Sequence, residues 1–185
     1  MKDIETERLL IRRFRADDWK GLREIIIQKE SSQYAAYDHE WPTSGEEIRK
    51  ITDWFAEGDE FHAVCLKESG RLIGFISLNR NEEKDRPEFN LGFCFNFNYH
   101  GKGYATEGCR ALLHYAFSEL KAEEIKSGTA ARNHPARNLL LRLGMKKKGE
   151  ETSSLRKDSA GRPIEFTGLT FTLSKDEWVK SGNSI

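Results

Sequence analysis

The residues with the clearest chemical potential lie in the loop NYHGKGYATEG, from Asn98 to Gly108, between a strand-like and a helix-like segment. The first N–H groups of a helix lack intrahelical partners and lie at the positive end of its dipole. Glycines let an anion approach the backbone closely. We therefore expect a phosphate-binding loop here. Its donors are the backbone amides of Gly101, Lys102, Gly103, Tyr104, Ala105 and Thr106, and the Lys102 side chain adds a charge.

The spacing of this loop excludes two common phosphate motifs. A Walker loop requires G-K-[ST] with an earlier glycine, but Gly103 follows Lys102 and Asn96 occupies the earlier position. A dinucleotide-binding fingerprint requires GxGxxG, and Thr106 stands where its third glycine belongs. A different kind of phosphate ligand is therefore indicated.

The segments on both sides of the loop have clear periodicity. The preceding one alternates apolar with polar or small residues, which predicts a two-faced strand; its apolar members are Phe89, Leu91, Phe93, Phe95 and Phe97. The following one has an apolar stripe at helical spacing, formed by Ala105, Cys109, Leu112, Leu113, Ala116, Phe117 and Leu120. The loop thus connects a strand to an amphipathic helix.

The remaining chain predicts the order β-α-α-β-β-β-α-β-α-β-β, which describes a mixed sheet with helices on its faces. Asp17 or Asp18 is expected to cap the first helix, and Ser44 with Glu47 forms a capping-box pattern before the second. In the last strand the apolar phase slips at Gly168, which predicts a bulge.

The composition bounds the class of protein. A chain of 185 residues with 37% hydrophobic residues and zero formal net charge fits one globular domain without a nucleic-acid footprint. We expect this domain to span residues 1–175, with a C-terminal tail at 176–185. Three widely spaced cysteines, no long apolar run and no signal peptide indicate a cytoplasmic protein without a membrane partner. No histidine spacing suggests a metal site.

The string HGKGYA resembles the pyrophosphate loop of the GNAT acyl-CoA N-acyltransferase superfamily, whose pattern is [QR]-x-x-G-x-[GA]. Gly103 and Ala105 match this pattern, whereas His100 departs from it. The wider string LGFCFNFNYHGKGYATEG resembles the RimJ/RimL-like branch, the ribosomal-protein N-terminal acetyltransferase type. The segments TERLLIRRF, WP and NHPARNLLLRLGM resemble that branch too, so the likeness covers nearly the whole chain in order.

The resemblance implies an α/β (α+β) GNAT fold: a twisted mixed sheet of about seven strands, with helices on both faces, splayed between the fourth and fifth strands. The cofactor's pantetheine arm is then expected along the backbone of Phe93, Cys94 and Phe95, where many members of the family carry a bulge. The resemblance also implies a cofactor contact from Asn133, while Ala136 replaces a serine of the family. Asn138 and Arg142 lie one and two turns into the same helix, within reach of the cofactor's phosphates. His100 is either a loop donor near phosphate or a surface residue.

The resemblance implies direct attack of an amine on acetyl-CoA in a ternary complex. The position of the family's glutamate base is Asn90 here, so we expect Glu88, one strand period earlier, to act as the base. Leu140 replaces the family's tyrosine, which leaves the proton for the thiolate to water or an unassigned group. The acceptor groove is expected at Tyr34, Tyr37, His39, Trp41 and Asn90.

The leading hypothesis is thus an N-acetyltransferase that uses acetyl-CoA as acyl donor. Its acceptor amine is a protein N-terminus or a small molecule, and a homodimer is left open. Two alternatives are a CoA-binding sensor or scaffold domain without turnover and a mononucleotide-binding regulatory domain. An acyl-enzyme at Cys94 would need an activating base, and the sequence suggests none.

Overall fold

A computed structural model describes residues 2–182, in which strands and helices follow each other in the predicted order with additions at both ends. The strands are β1 Ile4–Glu5, β2 Leu9–Arg13, β3 Phe61–Leu66, β4 Leu72–Arg80, β5 Glu88–Phe95, β6 Glu124–Ala130, β7 Lys146–Lys157 and β8 Pro163–Ser174. The α-helices are α1 Trp19–Glu30, α2 Gly45–Glu57, α3 Tyr104–Ser118, α4 His134–Arg142 and α5 Lys175–Lys180.

These strands form a sheet in the order β1-β2-β3-β4-β5-β6-β8-β7, in which β5 and β6 run parallel and the other neighbours antiparallel. Helices cover both faces, as expected. The sheet has eight strands rather than about seven. The additional strand is β1, in which only Ile4 and Glu5 pair with β2. Two residues are too few to produce a readable alternation.

The sheet separates two apolar cores. On one face, α3, α4 and α5 bury residues such as Leu112, Phe117, Leu140 and Trp178. On the other face, α1 and α2 pack Leu22, Ile25, Ile48 and Phe55 against β3 and β4. The apolar stripe expected in α3 accounts for every buried position of this helix except Gly108, because residues four and seven apart share one side of a helix.

The strands β5 and β6 pair only from Glu88 to Asn90 with Glu124 to Lys126. Directly beyond, Ser127 Oγ donates a 2.8 Å hydrogen bond to the Leu91 carbonyl, where a ladder bond would otherwise continue. The strands then separate, and β6 continues beside β8. The expected splay between these two strands is confirmed.

The bulge predicted at Gly168 is wrong, and the bulge that many members of the family carry in β5 is absent here. Pairing of β5 with β4 runs without interruption from Phe89 opposite Arg80 to Phe95 opposite Gly74, so the alternation of β5 does not break near Phe95. Gly168 pairs in register with both β6 and β7. The apolar phase of β8 changes because the covered face changes: Phe166 contacts Tyr37, whereas Leu169, Phe171 and Leu173 enter the core behind α3.

The capping signals had mixed outcomes. Ser44 accepts a hydrogen bond from the Glu47 N–H and caps α2 as expected. The Asp18 carboxylate makes no cap of α1 and instead pairs with both terminal nitrogens of the buried Arg12, at 2.7 and 2.8 Å. Part of the segment expected as a tail forms α5, whose Trp178 stacks on Phe117. Residues 183–185 of that segment lie outside the described residues.

His62 on β3 generates a prediction about pH and stability. Its side chain is 2% exposed, its Nδ1 has no hydrogen-bond partner among the described residues, and burial lowers its pKa from 6.5 to about 4. Between about pH 4 and pH 6.5, His62 is therefore protonated in the unfolded chain and neutral in the folded chain. We expect stability to fall as pH drops from 7 to 5, with His62 contributing about 1–2 kcal/mol.

Urea unfolding at pH 7 and pH 5 measures this difference. The His62→Leu variant should lose less stability on acidification than the wild type. The control His114→Gln removes an exposed histidine and should behave like the wild type. Equal acid losses in wild type and His62→Leu would contradict the assignment.

Candidate functional site

A cleft of about 1000 Å³ opens where β5 and β6 separate. One wall is the glycine loop with the start of α3, and a second is α4 with the residue before it. The connection between α1 and α2 and the hairpin of β7 and β8 line its other end. Strand β5 runs through the middle, so the cleft meets both faces of the sheet.

The glycine loop has the geometry of an anion site. Gly101 and Gly103 have φ of +74° and +83°, a left-handed conformation that suits glycine. The first backbone bond of α3 runs from the Glu107 N–H to the Gly103 carbonyl at 3.0 Å. The N–H groups of Tyr104, Ala105 and Thr106 therefore have no intrahelical acceptor and lie at the cleft.

Contacts from α1 hold the chain that enters this loop. Asn96 is 1% exposed, and its Nδ2 donates to Glu24 Oε1 at 2.7 Å. The Phe97 N–H donates to Gln28 Oε1 at 2.8 Å. These bonds set the path of the backbone at the end of β5.

His100 makes a hydrogen bond within the protein as well as lining the cleft. Its Nε2 lies 3.0 Å from the carbonyl oxygen of Phe95, so this nitrogen carries the proton and donates to strand β5. The imidazole thus ties the loop back to the strand while still lining the cleft. Only Nδ1 of this side chain is therefore left to donate to a phosphate.

Glu107 in the first turn of α3 anchors the loop to the N-terminal strands. Its Oε1 accepts from Thr6 Oγ1 at 2.5 Å and from the Arg8 N–H at 2.9 Å, and its Oε2 accepts from Arg8 Nε at 2.7 Å. Arg8 also donates to the Lys102 carbonyl at 3.0 Å and lies over the Tyr104 ring. Burial opposes ionisation, but these hydrogen bonds outweigh it and lower the pKa of Glu107.

The α4 wall contains the other expected cofactor residues. Asn133 Oδ1 accepts from the Ala136 N–H at 3.3 Å and caps α4, which fixes its side chain at the cleft. Asn138 and Arg142 line the same wall, and Arg142 Nε lies 3.4 Å from Thr106 Oγ1 at the start of α3.

The structure brings nearly all expected cofactor residues to this one cleft. They are Phe93, Cys94, Phe95, His100, Gly101, Gly103, Tyr104, Ala105, Thr106, Asn133, Asn138 and Arg142. Lys102 is the exception, because its Nζ turns back to the Asn98 carbonyl at 3.3 Å. Its backbone stays in the loop, but its charge lies outside the cleft lining.

Glu88 lies apart from the cleft, in a recess of about 570 Å³ near the start of β5. Its carboxylate accepts from Lys126 Nζ and from Asn81 Nδ2, both at 2.7 Å. The hydrogen bond from Lys126 is the main cause that lowers the pKa of Glu88. Because Glu88 opens into this separate recess and not into the cleft, the geometry does not support the role expected for Glu88.

The expected acceptor residues divide into two groups. Tyr34, Tyr37 and Trp41, in the connection between α1 and α2, line the cleft. His39 and Asn90 are exposed and lie outside the cleft lining. Sequence reasoning missed Asp38 and Phe166, which also line this end. Asp38 lies in the same loop segment, YDHEW, so the sequence could have suggested it. Phe166 belongs to a strand more than a hundred residues away, and no local signal connects it to this loop.

Cys94 lies on the cleft-lining strand but is not a reactive thiol. Burial raises its pKa to about 12. At pH 7 the thiolate fraction is then on the order of 10⁻⁵, too small for efficient nucleophilic attack. The described residues thus argue against an acyl-cysteine intermediate.

Comparison with known proteins agrees with this arrangement. The family profile described as an acetyltransferase (GNAT) domain matches residues 8–146, well over half of the chain. The chain therefore belongs to the GNAT family of acetyltransferases and is an enzyme of that class. In the part of the chain that the structure describes, none of the helices has the length and apolar character needed to cross a bilayer.

Three relatives illustrate the match. "Uncharacterized N-acetyltransferase YnaD" of Bacillus subtilis is 31% identical over 148 residues, which cover 79% of this chain and 84% of YnaD. The ribosomal-protein-S5-alanine acetyltransferase of Vibrio fischeri has a TM-score of 0.79 at 16% identity, covering 96% of this chain and 99% of that one. RimJ of Mycobacterium smegmatis, solved with CoA-disulfide, has a TM-score of 0.72 at 15% identity over 94% and 89%. The GNAT family expected from the sequence is confirmed by the profile, and the two solved structures share its fold.

The anchoring role of Glu107 generates a stability prediction. Glu107→Gln removes a half-buried carboxylate that accepts from Thr6 and twice from Arg8, so we expect a loss of about 1–2 kcal/mol. The control Glu46→Gln breaks an exposed pair with Lys50 and should cost less than about 0.5 kcal/mol. Urea unfolding at pH 7 measures both, and similar small losses in the two variants would show that Glu107 is not an anchor.

Proposed function

We propose that this chain transfers an acetyl group from acetyl-CoA to a primary amine by direct attack in a ternary complex. The acceptor is a protein N-terminus or a small-molecule amine. The observation that carries the proposal is the cleft itself, in which one end holds free helix amides and the middle holds an unpaired strand edge. A neutral chain adds no electrostatic preference among acceptors.

The residues of the cleft fit CoA. The amides from Gly101 to Thr106 suit a diphosphate, because they combine left-handed glycines with the positive end of the α3 dipole. Asn133, Asn138 and Arg142 add polar side chains across the cleft. The related RimJ structure contains a CoA disulfide, which supports this ligand for the shared fold.

The free edge of β5 suits the pantetheine arm. From Phe93 to Phe95 the strand pairs with β4 on one side only, since β6 has already separated. Alternate residues then direct backbone N–H and C=O groups toward the vacated side, where an extended amide-containing chain can pair with them. When bound, acetyl-CoA supplies an acetyl thioester, and a backbone N–H of this segment polarises its carbonyl.

Direct transfer is favoured over an acyl-enzyme by the raised pKa of Cys94. The acceptor must attack as a neutral amine. An α-amine, with a pKa near ~7.7–8.0, is partly neutral at pH 7, whereas a lysine side chain near ~10.4 needs a base. The Vibrio fischeri relative is named for acetylation of a ribosomal protein alanine, which supports a protein N-terminus as one acceptor class.

Thiol release from acetyl-CoA in the presence of a panel of amines tests the proposal. The panel should include peptides with free N-termini and small amines, with the acetylated products identified by mass spectrometry. We expect amine-dependent release of one thiol per amide formed. Tight CoA binding without turnover on any amine would favour the sensor alternative, and binding of ATP instead of CoA would favour the mononucleotide-binding alternative.

Gly103→Val tests the placement of the diphosphate. Valine at φ +83° is strained, and its Cβ would lie 3.3 Å from Arg8 Nη2, so the loop has to shift and its amides lose the arrangement that suits an anion. We expect at least about tenfold weaker CoA binding by calorimetry. The control Gly70→Val carries similar strain at φ +69° in the turn between β3 and β4, outside the cleft lining. Equal CoA affinities in the two folded variants would place the diphosphate elsewhere.

A further inference from the structure

The acceptor end of the cleft contains a carboxylate that the reaction can use. Among the described residues that line the cleft, the acidic ones are Asp38 and Glu151. Glu151 is exposed on β7, on the arm of the hairpin. Asp38 lies between the aromatic residues Tyr37 and Trp41 of the connection between α1 and α2. Glu88, as shown above, is in a separate recess.

A chain of contacts places Asp38 on the same face of the sheet as the Cys94 side chain. Cys94 pairs with Phe75 across β4 and β5, and the Trp41 ring lies 6.2 Å from the Phe75 ring. Lys29 Nζ lies 5.4 Å from the centre of the Trp41 ring and 2.8 Å from Asp38 Oδ2. The α3 loop lies against the opposite core, so a donor and an acceptor reach β5 from opposite sides.

The Asp38 carboxylate is held in place and remains half-exposed to the cleft. Its Oδ1 accepts from the His39 N–H at 2.7 Å and its Oδ2 from Lys29 Nζ, while Arg156 Nε donates to its backbone carbonyl at 2.7 Å. Arg156 also pairs with Glu30 at 2.9 Å. The charged groups around Asp38 are therefore Lys29 and Glu30 from α1 and Arg156 from β7. The neighbouring His39 and the Cys94 thiol on β5 are the other titratable groups.

This arrangement suits an incoming amine. A carboxylate oxygen accepts N–H bonds from a cationic or neutral amine, whereas the adjacent Lys29 ammonium disfavours a second positive charge nearby. Asp38 thus binds the acceptor, and Lys29 offsets the tendency of the carboxylate to keep the amine protonated. Tyr37 and Phe166, whose ring centroids are 5.3 Å apart, add an apolar wall beside the carboxylate.

We propose that Asp38 is the base that receives the acceptor amine, and that the acceptors are primary amines bearing an apolar or aromatic group. This inference rests on the proposed transferase function. Asp38 takes one proton from the ammonium, and the amine nitrogen then forms the bond to the acetyl carbon. The carbon–sulfur bond of acetyl-CoA breaks, and the second amine proton ends on the released thiol. Asp38 returns its proton to solvent.

The basicity of the amine tests this role. Phenethylamine is an alkylamine with a pKa near that of lysine, about 10, whereas the α-amine of phenylalaninamide titrates near about 8. Both present the same aromatic group. We expect Asp38→Asn to lower kcat/KM on the order of 10²-fold or more for phenethylamine and several-fold less for phenylalaninamide. Ethanolamine, which lacks an apolar group, should be a poorer acceptor than phenethylamine for the wild type.

The matched control is Glu30→Gln. Glu30 belongs to the same ion-pair network through Lys29 and Arg156 but does not line the cleft. We expect this variant to keep the wild-type ratio of kcat/KM between the two aromatic amines. Thermal unfolding and CoA affinity, measured for both variants, confirm that the fold and the donor site are intact.

The outcomes separate this inference from the proposed function. Equal losses for the two amines in Asp38→Asn, or losses shared by Glu30→Gln, would overturn the role of Asp38 as base. If the wild type binds CoA but acetylates no amine, the transferase proposal fails by itself. Asp38 is then judged by phenethylamine binding to the CoA-loaded protein, where equal affinities of wild type and Asp38→Asn would overturn the inference.

Discussion

The separation of β5 from β6 is the constraint on which the rest of the structure depends. Parallel pairing lasts for three residues and then stops, and Ser127 satisfies the first carbonyl left without a strand partner. Exposed backbone polar groups in a cleft must find water or a ligand, because leaving them unpaired is costly. A strand edge opened in the middle of a sheet is therefore also a binding surface. The glycine loop, the α4 wall and the aromatic end surround this opening.

Charge organises the cleft although the chain is neutral overall. At one end, Glu107 ties the start of α3 to Thr6 and Arg8. At the other, the ion pairs of Lys29, Glu30 and Arg156 connect α1 to the hairpin of β7 and β8 around Asp38. The Lys29, Glu30 and Arg156 side chains are largely buried, so removing one partner would leave a charge that is costly to bury, and the intact pairs also define positions. They hold groups from distant parts of the sequence at fixed separations from β5.

Much of the fold was predictable, because its signals are local. The alternation of β5, the apolar stripe of α3 and the Ser44 cap of α2 depend on residues within one or two turns or strand periods. Expectations that depended on distant partners were less accurate. The apolar phase of β8 suggested a bulge at Gly168, whereas the strand continues and only its covered face changes. The two-residue β1 and the packed helix α5 each depend on contacts elsewhere in the chain.

The sequence by itself predicted the proposed anion site, since left-handed glycines before a helix produce free amides wherever that helix lies. Its motifs also indicated the GNAT family and nearly all residues of the donor side. Only the tertiary structure decided the acceptor side. There Glu88 lies with Lys126 in another recess, while Asp38, Lys29 and Phe166 meet from three separate elements. A carboxylate's role depends on which charges and cavities surround it in space, and spacing along the chain does not specify those neighbours.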